Sequence, residues 1–153
     1  MPRYWLIKSE PESYSIQHLE RDGRTHWEGV RNYQARNFMR DEMQVSDEIL
    51  FYHSNTEPIG VAGTARVART AYPDPSARDP KSHYYDPKAS DEDPRWFMVD
   101  IEFVERFPEI VTLARLRDIP EIAAMPLLNR SRLSVQPVTQ QEFEIIRATG
   151  RKK

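Results

Sequence analysis

Hydrophobic and polar positions alternate in short blocks along the chain. Residues 3–8 are rich in aromatic and branched side chains and read as a buried strand. Ser9-Glu10-Pro11 ends it, because proline cannot continue a central ladder. Ser15 stands as an N-cap for a short helix through Glu20, with Ile16 and Leu19 on one face and Gly23 just past its end. Residues 27–32 read as a loop, and residues 33–43 as a helix with Ala35, Phe38 and Met39 facing inward. A turn at Ser46-Asp47 leads into an apolar strand over 48–53, and a second turn over 55–58 leads into a long strand over 59–70. Gly60 and Gly63 inside that strand imply a bulge or a close backbone approach. Residues 96–107 alternate, with Phe97, Val99, Ile101 and Phe103 on one face. Residues 113–125 hold short helical turns broken by Pro120, and residues 132–138 form a last strand ending at Pro137. Thr139-Gln140-Gln141-Glu142 is a capping box for a C-terminal helix with Phe143, Ile145 and Ile146 apolar and Gly150 as its stop.

Residues 71–95 break the pattern. Pro73, Pro75, Pro80, Pro87 and Pro94 fall there and aliphatic residues are nearly absent, while Tyr72, Tyr84 and Tyr85 argue for an ordered loop laid over the body. Five or so strands at irregular spacing, with short helices between them, predict an α+β fold. Its expected form is a small twisted β-barrel of five to six strands with short flanking helices, in one domain over 1–153. The regular alternation of a doubly wound sheet is missing.

Composition narrows the function. Apolar residues make up 39% and charged residues 30% of 153, an ordinary globular balance. No apolar run approaches a membrane span, and no secretory leader is legible, so a cytoplasmic protein without membrane association is expected. The chain has no cysteine, which removes disulfides, thiolate nucleophiles and Cys-ligated metals. His18, His26, His53 and His83 show no metal-ligand spacing, so neither metal nor cofactor is expected. Twenty-two basic residues against 24 acidic ones leave a net charge of −2, so a nucleic-acid role must rest on a local patch and a specific pocket.

Catalytic motifs are weak. Gly60-Val61-Ala62-Gly63 lacks the Gly-Lys-Ser/Thr of a phosphate loop, and no nucleophile elbow is present. Glu10 and Glu28 are candidate general acids only if buried together; His53-Ser54 could be half of a nucleophile–base pair, but strand neighbours point to opposite faces, so a polar strand end is the stronger reading. Polar groups that core packing does not need are dense in three places: Lys8-Ser9-Glu10, residues 27–37, and residues 51–54. The middle segment puts Trp27 near Asn32, Tyr33 and Asn37, with Arg31 and Arg36 between. That combination suits a flat heterocycle, stacked on its face and hydrogen-bonded on its rim. Trp27 also reads as a core tryptophan, and the two arginines as a solvated helix face.

The same residues carry a resemblance. Residues 4–11 (Tyr-Trp-Leu-Ile-Lys-Ser-Glu-Pro) with Tyr14-Ser15, then residues 27–37 (Trp-Glu-Gly-Val-Arg-Asn-Tyr-Gln-Ala-Arg-Asn), then Phe51-Tyr52-His53-Ser54-Asn55, are similar to the EVE domain family. The likeness continues through Ala71-Tyr72-Pro73-Asp74, Tyr84-Tyr85-Asp86-Pro87-Lys88, Pro94-Arg95-Trp96 and residues 132–138. Glu28, Ser46 and Phe143 depart from the family pattern, which has Asp, Gly and Trp there. The resemblance implies a PUA-like barrel related to YTH and ASCH domains. It also implies a module that reads modified bases, 5-substituted cytosines in particular. Carried over from the YTH pattern, Ser9 and Trp27 would line a base pocket, with Asn32 and Ser54 close by; the methyladenine ligand does not carry over.

The reading that follows is a non-catalytic monomer binding a modified or extruded nucleobase in DNA or RNA. Trp27 would stack on the base. Ser9, Asn32, Tyr33, Asn37, His53, Ser54 and Tyr85 would surround it, and Lys8, Arg31 and Arg36 would hold phosphates. The alternatives are an enzyme processing a nucleotide or modified base with Glu10 or His53 as general acid or base, and a small-molecule sensor.

Overall fold

The structure, a computed structural model, describes residues 3–129 and 133–152. Its first strand, β1 (Tyr4–Ser9), sends Trp5 and Ile7 to one face and Leu6 to the other, and all three are buried. That is the signature of a strand inside a sheet covered on both sides. β3 (Glu48–His53) repeats it, with Ile49 and Phe51 opposed to Leu50 and Tyr52. β1 and β3 run parallel, Leu6 opposite Leu50. β4 (Gly60–Pro73) and β5 (Phe97–Thr112) extend the sheet antiparallel, β2 (Arg24–Trp27) pairs with β5, and β6 (Val135–Val138) pairs with β1. The six strands form one mixed sheet in the order β2-β5-β4-β3-β1-β6.

Helices cover both faces. α1 (Ile16–Asp22) and α2 (Tyr33–Asn37) bury Ile16, Leu19 and Ala35 against the Trp5–Phe51 side. On the Leu6–Leu50 side, α3 (Leu113–Arg117), α4 (Pro126–Asn129) and α5 (Gln140–Arg151) contribute Leu116, Leu127, Phe143 and Ile146. Asp47 locks the sheet's start: its carboxylate accepts from the indole of Trp5 at 2.9 Å and the backbone N–H groups of Arg3 and Gln44. No helix among the described residues is long and apolar enough to cross a membrane.

The α+β expectation holds, but the barrel does not close. β2 and β6 sit at the two edges, each with a single neighbour among the described residues. Both are four residues long, and each pairs through its ladder with its one neighbour, β2 with β5 and β6 with β1. Trp27 was expected to begin a loop, and residues 24–26 were assigned to no element. They form β2 instead, because Thr25 and Trp27 face inward while Arg24 and His26 find Asp100 across the strand pair at 2.9 and 3.1 Å. The helix expected over 33–43 is α2 followed by a wide turn at Phe38–Glu42. Gly150 does not end α5, which runs to Arg151. It is buried because the Phe107 ring lies where any side chain at that position would sit. The last strand covers only Val135–Val138 of the span expected, and Arg132 lies outside the described residues.

Candidate nucleic-acid interface

Parallel pairing of β1 and β3 brings their ends together, Ser9 opposite His53. The Ser9 carbonyl accepts from the Ser54 backbone N–H at 2.9 Å, and the Ser9 hydroxyl donates to the Tyr14 carbonyl. His53 is 4% exposed, and its Nε2 accepts from the Ile16 N–H at 3.0 Å. A ring nitrogen that accepts carries no proton, so His53 is neutral with its proton on Nδ1. Burial holds its pKa below the ordinary histidine value. Lys8 is half-buried, its Nζ 5.8 Å from the Tyr52 ring centre, and burial lowers its pKa too.

Trp27 closes β2 opposite Val99. It is half-buried, touching Phe51 edge-on at 5.6 Å and Tyr14 at 6.3 Å. Tyr14 donates its hydroxyl to Asp22 at 2.8 Å; burial and that carboxylate push its pKa up to about 12, so it remains a neutral phenol. Ser9, Tyr14, Trp27 and Phe51 thus form one continuous contact chain leading to His53, through the Ser9–Tyr14 bond and the ring contacts.

The other expected residues assemble around Trp96. Asn32 caps α2, its side-chain oxygen accepting from the Ala35 N–H at 2.9 Å. Tyr33, 52% exposed, stacks on Trp96 with ring centres 4.7 Å apart. The Arg36 guanidinium lies 4.7 Å from the Tyr33 ring centre and donates to the Arg95 carbonyl at 2.8 Å and to the Asn37 side-chain oxygen. Arg31 lies 5.2 Å from the Trp96 ring centre and donates to the Tyr84 carbonyl at 2.8 Å. Tyr85 joins Gly29, Arg31, Tyr84 and Trp96 around a hollow of about 410 Å³.

Asp74 ties the two groups and was not among the expected residues. Its buried carboxylate accepts from the Gly29 N–H at 2.8 Å, from Arg31 at 3.2 Å and from the Ser76 N–H and hydroxyl. Burial opposes its charge, but the bonds from Ser76, Gly29 and Arg31 outweigh that and hold its pKa below the ordinary aspartate value. Gly29 has φ +80°, and a Cβ there would meet the Tyr84 ring at 2.6 Å. The segment after β4 is therefore pressed onto the backbone two residues beyond Trp27. Asp74 was visible only as part of the Ala71–Asp74 motif. A lone Asp after Pro gives no other signal. Trp96 was visible only as the start of the alternating 96–107 segment and as part of the 94–96 motif, and Tyr14 only in the Tyr14-Ser15 motif.

The EVE domain profile matches residues 3–149. The chain belongs to the EVE domain family. Mouse thymocyte nuclear protein 1 is 39% identical over 95% of this chain and 73% of its own length. Among solved structures, a hypothetical protein from Leishmania major superposes with TM-score 0.94 at 48% identity, covering 98% of this chain and 95% of its own. Human THYN1 protein, solved in complex with 5-methylcytosine-containing DNA, superposes with TM-score 0.91 at 38% identity over 99% of each chain. In this EVE domain, then, the Ser9–Trp27 group and the Tyr33–Trp96 group are two parts of one surface only if a ligand spans Gly29, where the segment carrying Tyr84 meets the backbone between them.

Proposed function

We propose that this domain binds DNA and takes a 5-substituted cytosine beside Trp27 without altering it. The observation that carries this reading is the likeness, over 99% of both chains, to human THYN1 protein, itself solved with 5-methylcytosine-containing DNA. Local geometry is consistent. Trp27 keeps a partly open ring at a strand end, as base stacking requires. Ser9, Ser54 and Tyr14 supply polar edges, and the Tyr33–Trp96 stack with Arg31 and Arg36 supplies aromatic and cationic surface for the flanking strand. Lys8, Arg31 and Arg36 hold phosphates in this account, although Arg31 also serves the Asp74 tie. RNA carrying the same base is a second substrate of the same site.

A binding role is favoured over the acid–base alternative by the state of the candidate groups. Glu10 and Glu28 are both exposed, so neither stands in the buried, water-excluded setting of a general acid. The Nε2 of His53 is occupied by a backbone N–H. The test is a titration with a DNA duplex carrying one 5-methylcytosine, the same duplex with cytosine, and the corresponding RNA, followed by mass analysis of the recovered nucleosides. The proposal expects tighter binding of the modified DNA and full recovery of 5-methylcytosine. A converted nucleoside would replace it with the enzyme reading.

A further inference from the structure

The β4–β5 ladder opens at one place. Gly60 and Val61 pair with Thr112 and Val111, and pairing then resumes at Gly63 with Arg106. Residues 107–110 on β5 therefore face a single residue, Ala62, and leave the ladder. Pro108 among them has no N–H to give it. A cavity of about 320 Å³ lies at this break, at the small end of the range for ligand pockets.

His53 lines the cavity. The ring is 4% exposed, its Nε2 is taken by the Ile16 N–H, and its remaining ring contact is with Phe51. The Nδ1–H has no acceptor among the described residues, but it is not sealed off as a fully buried polar atom would be, so its partner must come from the cavity the ring lines. Ile16, Ala62 and Ile110 give the cavity apolar walls. Arg106 and Glu109 stand at it with opposite charges, and Arg106 already reaches Glu20 at 3.4 Å, so no uncompensated charge calls for an ion.

We propose that this cavity is a second site, for a small neutral heterocycle whose ring acceptor takes the His53 Nδ1–H. The ligand is of nucleobase size, flat enough to lie between Ile16 and Ile110, and it uses Gln17 at the rim as a further hydrogen-bonding partner. The site shares only His53 with the surface proposed for DNA, and it stands whether or not that reading holds.

The experiment is an amide-shift titration of the ¹⁵N-labelled chain with cytidine, adenosine and nicotinamide as probes, up to about millimolar concentration, where a weak small-ligand site saturates. Saturable shifts at the amides of Ile16, Ala62 and Ile110 and at the His53 ring are expected for at least one probe. They should vanish in Ala62→Leu, which fills the cavity, and in Gln17→Trp, which closes its rim from an exposed helix position. DNA titrations of both variants should match the parent chain. Shifts confined to the Trp27 and Trp96 indoles, shifts that persist in Gln17→Trp, or no shift with any probe would overturn the proposal and leave a cavity filled by water.

Discussion

Trp5 and Trp27 divide the work of the large aromatics on one face of the sheet. Trp5 is 1% exposed with its indole N–H on Asp47, while Trp27 is half-buried at a strand end. Trp5→Ala is expected to cost about 3–5 kcal/mol of stability, measured by denaturant unfolding. Trp27→Ala should shift the melting temperature little but weaken binding of modified DNA. Base–aromatic stacking is worth roughly 1–3 kcal/mol, which is about a 5- to 150-fold loss of affinity. An unfolded Trp27→Ala chain would instead make that tryptophan core. Gly29→Ala forces a side chain into the left-handed region, at roughly 1–2 kcal/mol, and drives it into Tyr84. The expected result is reduced affinity together with faster proteolysis in the segment after β4. Lys8, Ser9, Trp27, His53 and Ser54 stood out because polar or aromatic residues at strand ends do not serve packing. What was not legible is which partner each uses. Asn32 is spent on a helix cap and Arg31 on Asp74, pairings set by chain folding across 43 residues in the second case.

Elements were read best where local signals agree. Ser15 and Thr139 both form capping boxes, as their spacing to His18 and Glu142 allows. The central strands β1 and β3, buried along most of their length, declared themselves by unbroken apolar runs. β2 did not, because a four-residue edge strand with Arg24 and His26 outward carries too little periodicity to separate it from a loop. Two pH responses belong to this scale. His53 joins the end of β3 to the start of α1, and its pKa in the folded chain lies below the unfolded value, about 6.5. Its contribution is therefore whole above that value and is lost as pH falls below it. Stability of the parent chain should decline on going from neutral to pH 5, and His53→Gln should flatten that decline. Asp74 has a depressed carboxylate pKa, so the tie between Gly29 and the segment after β4 holds above about pH 4 and weakens as pH falls further. Asp74→Ala removes it at every pH. The expected cost is about 3 kcal/mol, since Arg31 loses its buried partner. Unfolding midpoints measured against pH for the parent and both variants check these outcomes.

Across the whole molecule, net charge is slightly negative, so any affinity for DNA must come from a local arrangement of cations and not from the overall field. If Lys8 and Arg36 each meet one phosphate, the single alanine variants should weaken all sequences alike, with the slope of log affinity against log salt falling by about one unit each. Arg31→Ala should do the same and lose stability as well, because of its bonds to Asp74 and Tyr84. The α+β class followed from the element order, whereas barrel closure did not, since whether two edge strands meet depends on sheet twist and strand length together. The central claim, that this domain reads a 5-substituted cytosine by stacking it on Trp27, is tested most directly by one affinity ratio. Binding of a duplex with a single 5-methylcytosine is compared with the unmodified duplex, for the parent chain and for Trp27→Ala, at fixed salt. The account predicts preference for the modified duplex in the parent chain and its loss in the variant. Equal affinities in the parent chain, or a preference that survives Trp27→Ala, would contradict it.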